Sequence, residues 1–180
     1  TMKDKVILVT GGGGSIGSEI CRQLLRLSHP KKVIILDHSE YNLYSLEMEL
    51  SKEYHSQCEF CLGNITDQNF VSELFSQHKP DIVFHAAAYK HVPLLESQPK
   101  QAITNNILGT KIIAEESIRI KADRLIMVST DKAVNPSNTM GRTKRVAELV
   151  CQLFGKKQSQ TKFIITRFGN VLGSAGSVIP

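Results

Sequence analysis

The sequence predicts an α/β fold of the doubly wound kind, one parallel sheet with helices on both faces. Three observations carry this. Short β-branched apolar runs alternate with longer stretches of helical periodicity along all 180 residues. The first run ends in a glycine-rich loop that opens a helix. The residues with the most chemistry to offer follow the carboxyl ends of the strands, where such sheets hold their ligands.

The elements follow in order. Val6–Thr10 is a buried strand, and Ile16, Ile20, Leu24 and Leu27 then recur at helical spacing. Residues 33–37 form a second strand, with Leu43, Leu46 and Leu50 on one helical face after it. A third strand spans 59–62, and Phe70, Val71, Leu74 and Phe75 mark a short helix. Residues 81–86 form a fourth strand, followed by one long helix over about 97–120. Residues 124–129 form the fifth strand. Thr143, Ala147, Val150, Cys151 and Phe154 stripe another helix, and 162–167 form the sixth strand. Strands alternating with helices in this way imply parallel pairing through crossovers. Residues 1–180 read as one dinucleotide-binding domain. No second domain follows the sixth strand to close over a substrate, so a fragment is expected, with its substrate-binding part beyond Pro180.

Composition excludes several classes. Apolar residues make up 41% and charged residues 22%, as in an ordinary globular domain. No apolar run approaches the roughly 18 residues that span a bilayer, and no secretory leader opens the chain, because the first apolar stretch runs straight into glycines. A cytoplasmic location is expected, with membrane contact only through segments outside this chain. The net charge of +5 comes from scattered lysines and arginines, without tryptophan or a basic stripe, so nucleic acid is not an expected partner. A modest positive field helps capture a phosphate-bearing substrate. Cys58 and Cys61 form a C-x-x-C within a strand. Residues three apart on a strand point to opposite faces, so neither a metal site nor a redox pair is expected there.

The loop after the first strand reads TGGGGSIG over residues 10–17, with Gly11, Gly14 and Gly17 in a G-x-x-G-x-x-G pattern. The first glycine permits the tight turn and the second lets backbone amides approach a pyrophosphate. The third lets helix and strand pack closely. The helix start adds partial positive charge. This is the signature of a Rossmann-type domain that holds NAD or NADP. Asp37 ends the second strand, twenty residues after Gly17. A carboxylate there accepts from the adenosine ribose hydroxyls and repels a 2′-phosphate, which favours NAD; NADP stays open because His38 and Ser39 follow. The alternative role for Asp37 is a helix N-cap.

The wider pattern resembles the extended short-chain dehydrogenase/reductase superfamily, whose T-G-x-x-G-x-x-G loop matches residues 10–17. Four further stretches resemble the bacterial nucleotide-sugar 4,6-dehydratases of polysaccharide biosynthesis, the CapD/WbpM type. They are 36–44 (LDHSEYNLY), 85–93 (HAAAYKHVP), 129–136 (STDKAVNP) and 167–174 (RFGNVLGS). The resemblance implies a 4-keto-6-deoxy product made from UDP-N-acetylglucosamine or a close relative, with the dinucleotide recycled in each turnover. It places Gly11, Gly14, Ser15, Ile16 and Gly17 against the cofactor phosphates. Asn64 and Ile65 fall beside the adenine, and Ala86, Ala87 and Ala88 line the cofactor after the fourth strand. Lys144 falls on the nicotinamide ribose. Asn64 stands where the superfamily has an aspartate, and its amide oxygen can accept from the adenine amine. Residues 140–144 read MGRTK, so Met140 replaces the superfamily's tyrosine base, as in the CapD/WbpM group itself.

The resemblance also assigns the chemistry. Hydride leaves carbon 4, a base removes the carbon-5 proton, an acid protonates the departing carbon-6 hydroxyl, and hydride returns to carbon 6. Asp131 is then the acid, Lys132 the carbon-5 base with a lowered pKa, and Thr130 the partner of the carbon-4 hydroxyl. The candidates for that hydroxyl's proton are Lys132 and a water held by Lys144. The alternative for Asp131 is an Asx-type turn with Asn135 and Pro136. Asn170 follows the sixth strand and meets the substrate or caps a turn, while Tyr89 and Lys90 touch the sugar or pack. His85 and His91 lack a third metal ligand. The helices near 97–120 and 137–155 resemble those that pair these enzymes into homo-oligomers. Two other functions remain open: a UDP-sugar epimerase, and a non-catalytic NAD-binding regulatory module.

Overall fold

The computed structural model describes residues 2–169 and 171. In chain order these form β1 (Val6–Thr10), α1 (Ser15–Ser28), β2 (Lys32–Asp37), α2 (Glu40–Tyr54), β3 (Cys58–Leu62), α3 (Gln68–His78) and β4 (Ile82–His85). Then come α4 (Val92–Ser97), α5 (Pro99–Ile103), α6 (Gly109–Arg119), β5 (Arg124–Thr130), α7 (Thr139–Lys157) and β6 (Lys162–Phe168). All strand pairs are parallel, in the order β3-β2-β1-β4-β5-β6. β1 and β4 are therefore neighbours, and the switch point lies between their carboxyl ends, where a doubly wound sheet opens its ligand crevice.

Successive strand residues point to opposite faces, and both faces are covered. Ile7, Val9, Val33, Ile35, Ile82 and Ile126 share one core with Cys21, Leu24, Leu25, Leu43, Leu46 and Leu50 of α1 and α2. Leu8, Ile34, Leu36, Val83, Leu125 and Met127 share the other with Phe75 of α3, Ile113 of α6, and Ala147 and Cys151 of α7. This two-sided burial is why the strands read as unbroken apolar runs. Cys58 lies in the first core and Cys61 packs against the second, on opposite faces as the strand period requires.

The expected single helix over 97–120 is a correction. The chain breaks at Gln98, because Pro99 cannot donate to a preceding turn and opens α5 as its first residue. A π-helical turn, Thr104–Leu108, then separates α5 from α6. β4 also ends at His85, one residue short of the expected span.

Candidate active site

The glycine loop is built on close approach. Gly11 adopts φ +68°, and a Cβ there would lie 2.6 Å from the Ala87 nitrogen. A Cβ on Gly17 would run into the Gly11 carbonyl oxygen. Gly11 therefore makes the turn while Ala86 and Ala87 pass beside it, and Gly17 seats α1 on the loop. The amide of Gly12 donates to Leu36 O (3.0 Å) and that of Gly14 to Gly11 O (3.1 Å). Gly14 is the N-cap of α1 and has no side chain to cover its positive end, where Ser15 and Ile16 begin the helix.

Asp37 is almost fully buried. Its Oδ2 accepts from the Gly13 amide (2.8 Å) and its Oδ1 from the Ser39 amide (2.9 Å). The cap of α2 is Ser39, whose hydroxyl accepts from the Asn42 amide. Asp37 thus ties the glycine loop to the end of β2 and is not the cap. Asn64 turns its Oδ1 onto the Thr66 amide (3.0 Å) and hydroxyl (2.9 Å). Both lone pairs of the oxygen are occupied, which leaves the amide NH2 group, a donor, as the edge it offers to a base. The side chain of Ile65 belongs to the core and lies under Gly109.

Beneath the crevice runs a buried polar chain that connects three elements. The Thr110 hydroxyl donates to Asn106 O (2.7 Å), so it accepts from His85 Nε2–H (2.9 Å). His85 Nδ1 is then the acceptor for the Thr10 hydroxyl (2.7 Å). Burial, helped by the charge of Lys144, pushes His85 down to about 3, so the ring is neutral. Both ring nitrogens are occupied and His91 is exposed, so the structure does not bring the two histidines together as ligands.

The π-helical turn supplies the residue that sequence reasoning missed. Asn106 accepts from the Tyr89 amide (2.8 Å) and donates to Tyr89 O (3.1 Å) and to Thr143 Oγ1 (3.1 Å). Its amide joins the loop after β4 to the start of α7. The signal available was a pair of adjacent asparagines inside a helical stretch. Tyr89 meets the His38 ring edge-on at 6.0 Å, so the loops after β2 and β4 touch on either side of β1. Lys90 is exposed beside them.

α7 presents Lys144. Its Nζ donates to Val128 O (2.7 Å), and burial lowers its pKa to about 8 against weaker opposing effects of Cys151 and Glu148. Met140, one turn earlier, is buried with Leu95 and Ala102, next to Tyr89 and Val92. Its thioether is packing, and it carries no proton.

Thr130, Asp131 and Lys132 stand together at the end of β5. The Thr130 hydroxyl donates to Asp131 Oδ1 (2.9 Å) and accepts from the Lys132 amide (3.3 Å). Lys132 Nζ lies 3.6 Å from the same Asp131 oxygen. The turn is built by Thr130 and not by an Asp131–Asn135 contact. The Thr130 hydrogen bond, with the charge of Lys132, holds the Asp131 carboxyl below the usual carboxylate range. Both side chains are largely open to solvent. Asn170 lies outside the described residues.

A second buried carboxylate was also missed. Glu148 of α7 accepts from the Ser129 hydroxyl (2.6 Å), from Arg145 (2.9 Å) and from Arg167 of β6 (2.9 and 2.7 Å). Burial works against its ionisation, but the bonds from Arg167, Ser129 and Arg145 prevail and bring it down to about 2. Its charge locks β6 and the end of β5 onto the helix that carries Lys144.

Comparison with known proteins agrees with the fold. A family model described as polysaccharide biosynthesis protein matches residues 7–180. The capsular polysaccharide biosynthesis protein CapD of Staphylococcus aureus is 52% identical over 99% of this chain and 30% of its own length. The inverting UDP-N-acetylglucosamine 4,6-dehydratase of Campylobacter jejuni is 37% identical over 98% of this chain and 52% of its own. The structure of a UDP-glucose 4-epimerase from Stenotrophomonas maltophila, with bound NAD and formylated UDP-arabinopyranose, superposes with a TM-score of 0.82. It is 26% identical and covers 94% of this chain and 54% of that one. The chain thus spans from 30% to 52% of the curated relatives described. It belongs to the polysaccharide biosynthesis family of extended short-chain dehydrogenases/reductases.

Proposed function

We propose that this chain is the NAD-binding domain of a nucleotide-sugar 4,6-dehydratase acting on UDP-N-acetylglucosamine or a close relative. NAD suits the crevice: the Gly11–Ala87 approach leaves no room for a Cβ, and the Asp37 carboxylate disfavours a 2′-phosphate. When bound, the nicotinamide supplies the site that accepts and returns hydride. Lys144, the lysine of α7 that donates to Val128 O, would hold its ribose. Thr130 takes the carbon-4 hydroxyl. Lys132 removes the carbon-5 proton, and Asp131 protonates the departing carbon-6 hydroxyl. In the free domain Asp131 favours the carboxylate, so the acid role requires the sugar to bury it and raise its affinity for a proton.

The observation that carries this reading is the pairing of Asp131 and Lys132 at the end of β5 with a buried Met140 where an epimerase relies on tyrosine. Epimerisation is the second reading, favoured by the likeness to a UDP-glucose 4-epimerase. The two separate by mass. The full-length protein with UDP-N-acetylglucosamine and catalytic NAD is expected to give a product lighter by one water; an isobaric product makes it an epimerase. Asp131→Asn and Lys132→Ala are expected to lower turnover at least ~10²-fold each.

Homo-oligomerisation rests on an apolar face. Val146, Leu149 and Leu153 are exposed along α7, with Ile103 and Leu108 exposed just before α6. α6 and α7 pack side by side, so this face is fit to meet its copy. Sedimentation of the full-length protein is expected to give a dimer or larger. Among the described residues no helix is long and apolar enough to cross a membrane.

A further inference from the structure

We propose that Glu59, Cys61 and His78 form a site for one divalent cation of the zinc type, at the outer edge of the sheet and away from the crevice. β3 is the edge strand. Glu59 and Cys61 are two apart on it, so both point to the face beneath α3, and His78 is the last residue of α3. One ligand atom from each lies within 4.8 Å of the others. The Glu59 carboxylate already reaches His78 Nε2, at 3.3 Å.

The donor set names the metal. One thiolate, one imidazole and one carboxylate are borderline-soft ligands, suited to zinc and poorly suited to magnesium or calcium. Tetrahedral zinc, with ligand bonds of about 2.0–2.3 Å, places neighbouring donors about 3.5 Å apart. The donor atoms, within 4.8 Å of one another, must close to that spacing when an ion binds. All three residues are partly buried, enough to pre-set the cage and open enough to admit an ion and a water as fourth ligand. Burial pushes the Cys61 thiol up to about 11, so binding must release its proton, and affinity rises with pH.

The group that opposes binding is also identifiable. Lys32 Nζ sits 2.5 Å from the Glu59 carboxylate on its other oxygen. A cation must compete with that ammonium. Once bound, it would clamp the edge strand to the end of α3.

The test uses the full chain, stripped of metal and titrated with cobalt(II) chloride. One cobalt per chain is expected, with a thiolate-to-cobalt charge-transfer band and the visible absorption of a tetrahedral ion. Zinc chloride should displace it. Cys61→Ser should abolish the charge-transfer band, and His78→Gln should weaken binding about tenfold or more. Cys58→Ser, on the same strand but facing the other core, should change neither. Lys32→Met should tighten binding several-fold, a gain that a misfolded variant does not produce. Absence of a thiolate band in the parent, its survival in Cys61→Ser, or unchanged affinity in Lys32→Met overturns the proposal.

Discussion

Replacing Lys144 by methionine separates stability from function. The lysine is buried, and its pKa falls from 10.5 to about 8. A displacement of that size corresponds to about 3 kcal/mol of unfavourable interaction of the charged form. The side chain also donates to Val128 O at 2.7 Å, a bond worth about 1 kcal/mol net. Methionine has nearly the same shape without the charge. Lys144→Met is therefore expected to be more stable than the parent by about 2 kcal/mol at pH 7, while losing cofactor-dependent turnover. The folded-state pKa lies below the unfolded one, so the penalty is fully present below about pH 8. It disappears as the pH rises towards 10.5, because the unfolded state binds the extra proton in that window. The advantage of the variant should shrink over the same window. Urea unfolding of the cofactor-stripped protein from pH 7 to 10 measures both effects. A variant less stable than the parent at pH 7 would make the lysine a net contributor to the fold, the opposite of what its burial implies.

Three further outcomes follow. Glu148→Gln should cost about 2–3 kcal/mol at neutral pH, because the folded carboxyl is held near 2 against 4.5 unfolded. That contribution is present above pH 4.5 and lost as pH falls towards 2, so the gap between parent and variant, read by urea unfolding, should close in acid. Gly11→Ala meets a positive φ and the Ala87 backbone together, so NAD affinity measured by calorimetry should fall about tenfold or more; unchanged affinity would show that the loop need not keep this shape. Met140→Leu conserves volume in a packed apolar cluster, so it should cost under about 1.5 kcal/mol and leave kcat within about twofold; a tenfold loss would mean the thioether touches the reaction.

The scaffold of the site was legible because its signals are local. The glycine pattern from Gly11 to Gly17 announces a turn with no room for side chains, and the positive φ and close contacts of Gly11 bear that out. The alternation of strand and helix periods gave the sheet its helices, and Cys58 and Cys61 on opposite faces follow from the strand period alone. The break at Gln98 is present in the sequence as Pro99, a first-turn residue that the helical periodicity over 97–120 masks. The long-range groups were not readable. Glu148 has Arg145 three residues before it and looks like half of a surface pair, yet Ser129 and Arg167, each 19 residues away, bury it. Asn106 reads as a weak helix residue until the Tyr89 backbone and Thr143 come to meet it. Glu59, Cys61 and His78 have no ligand spacing in the sequence, because only the packing of α3 on β3 brings them together. The Asn64 oxygen, which the sequence alone offers to adenine, accepts from Thr66 two positions away, a local turn that residue type does not announce.

In the proposed reaction Asp131 and Lys132 serve an elimination across carbons 5 and 6 of a nucleotide sugar. The most direct measurement is turnover of UDP-N-acetylglucosamine by the full-length protein in deuterated water, with the product examined by NMR. The expected product is a 4-keto-6-deoxy sugar with deuterium at carbon 5, formed without net consumption of NAD, and Asp131→Asn should give no such product. A turned-over sugar that keeps its carbon-6 hydroxyl and carries no deuterium at carbon 5 would contradict it.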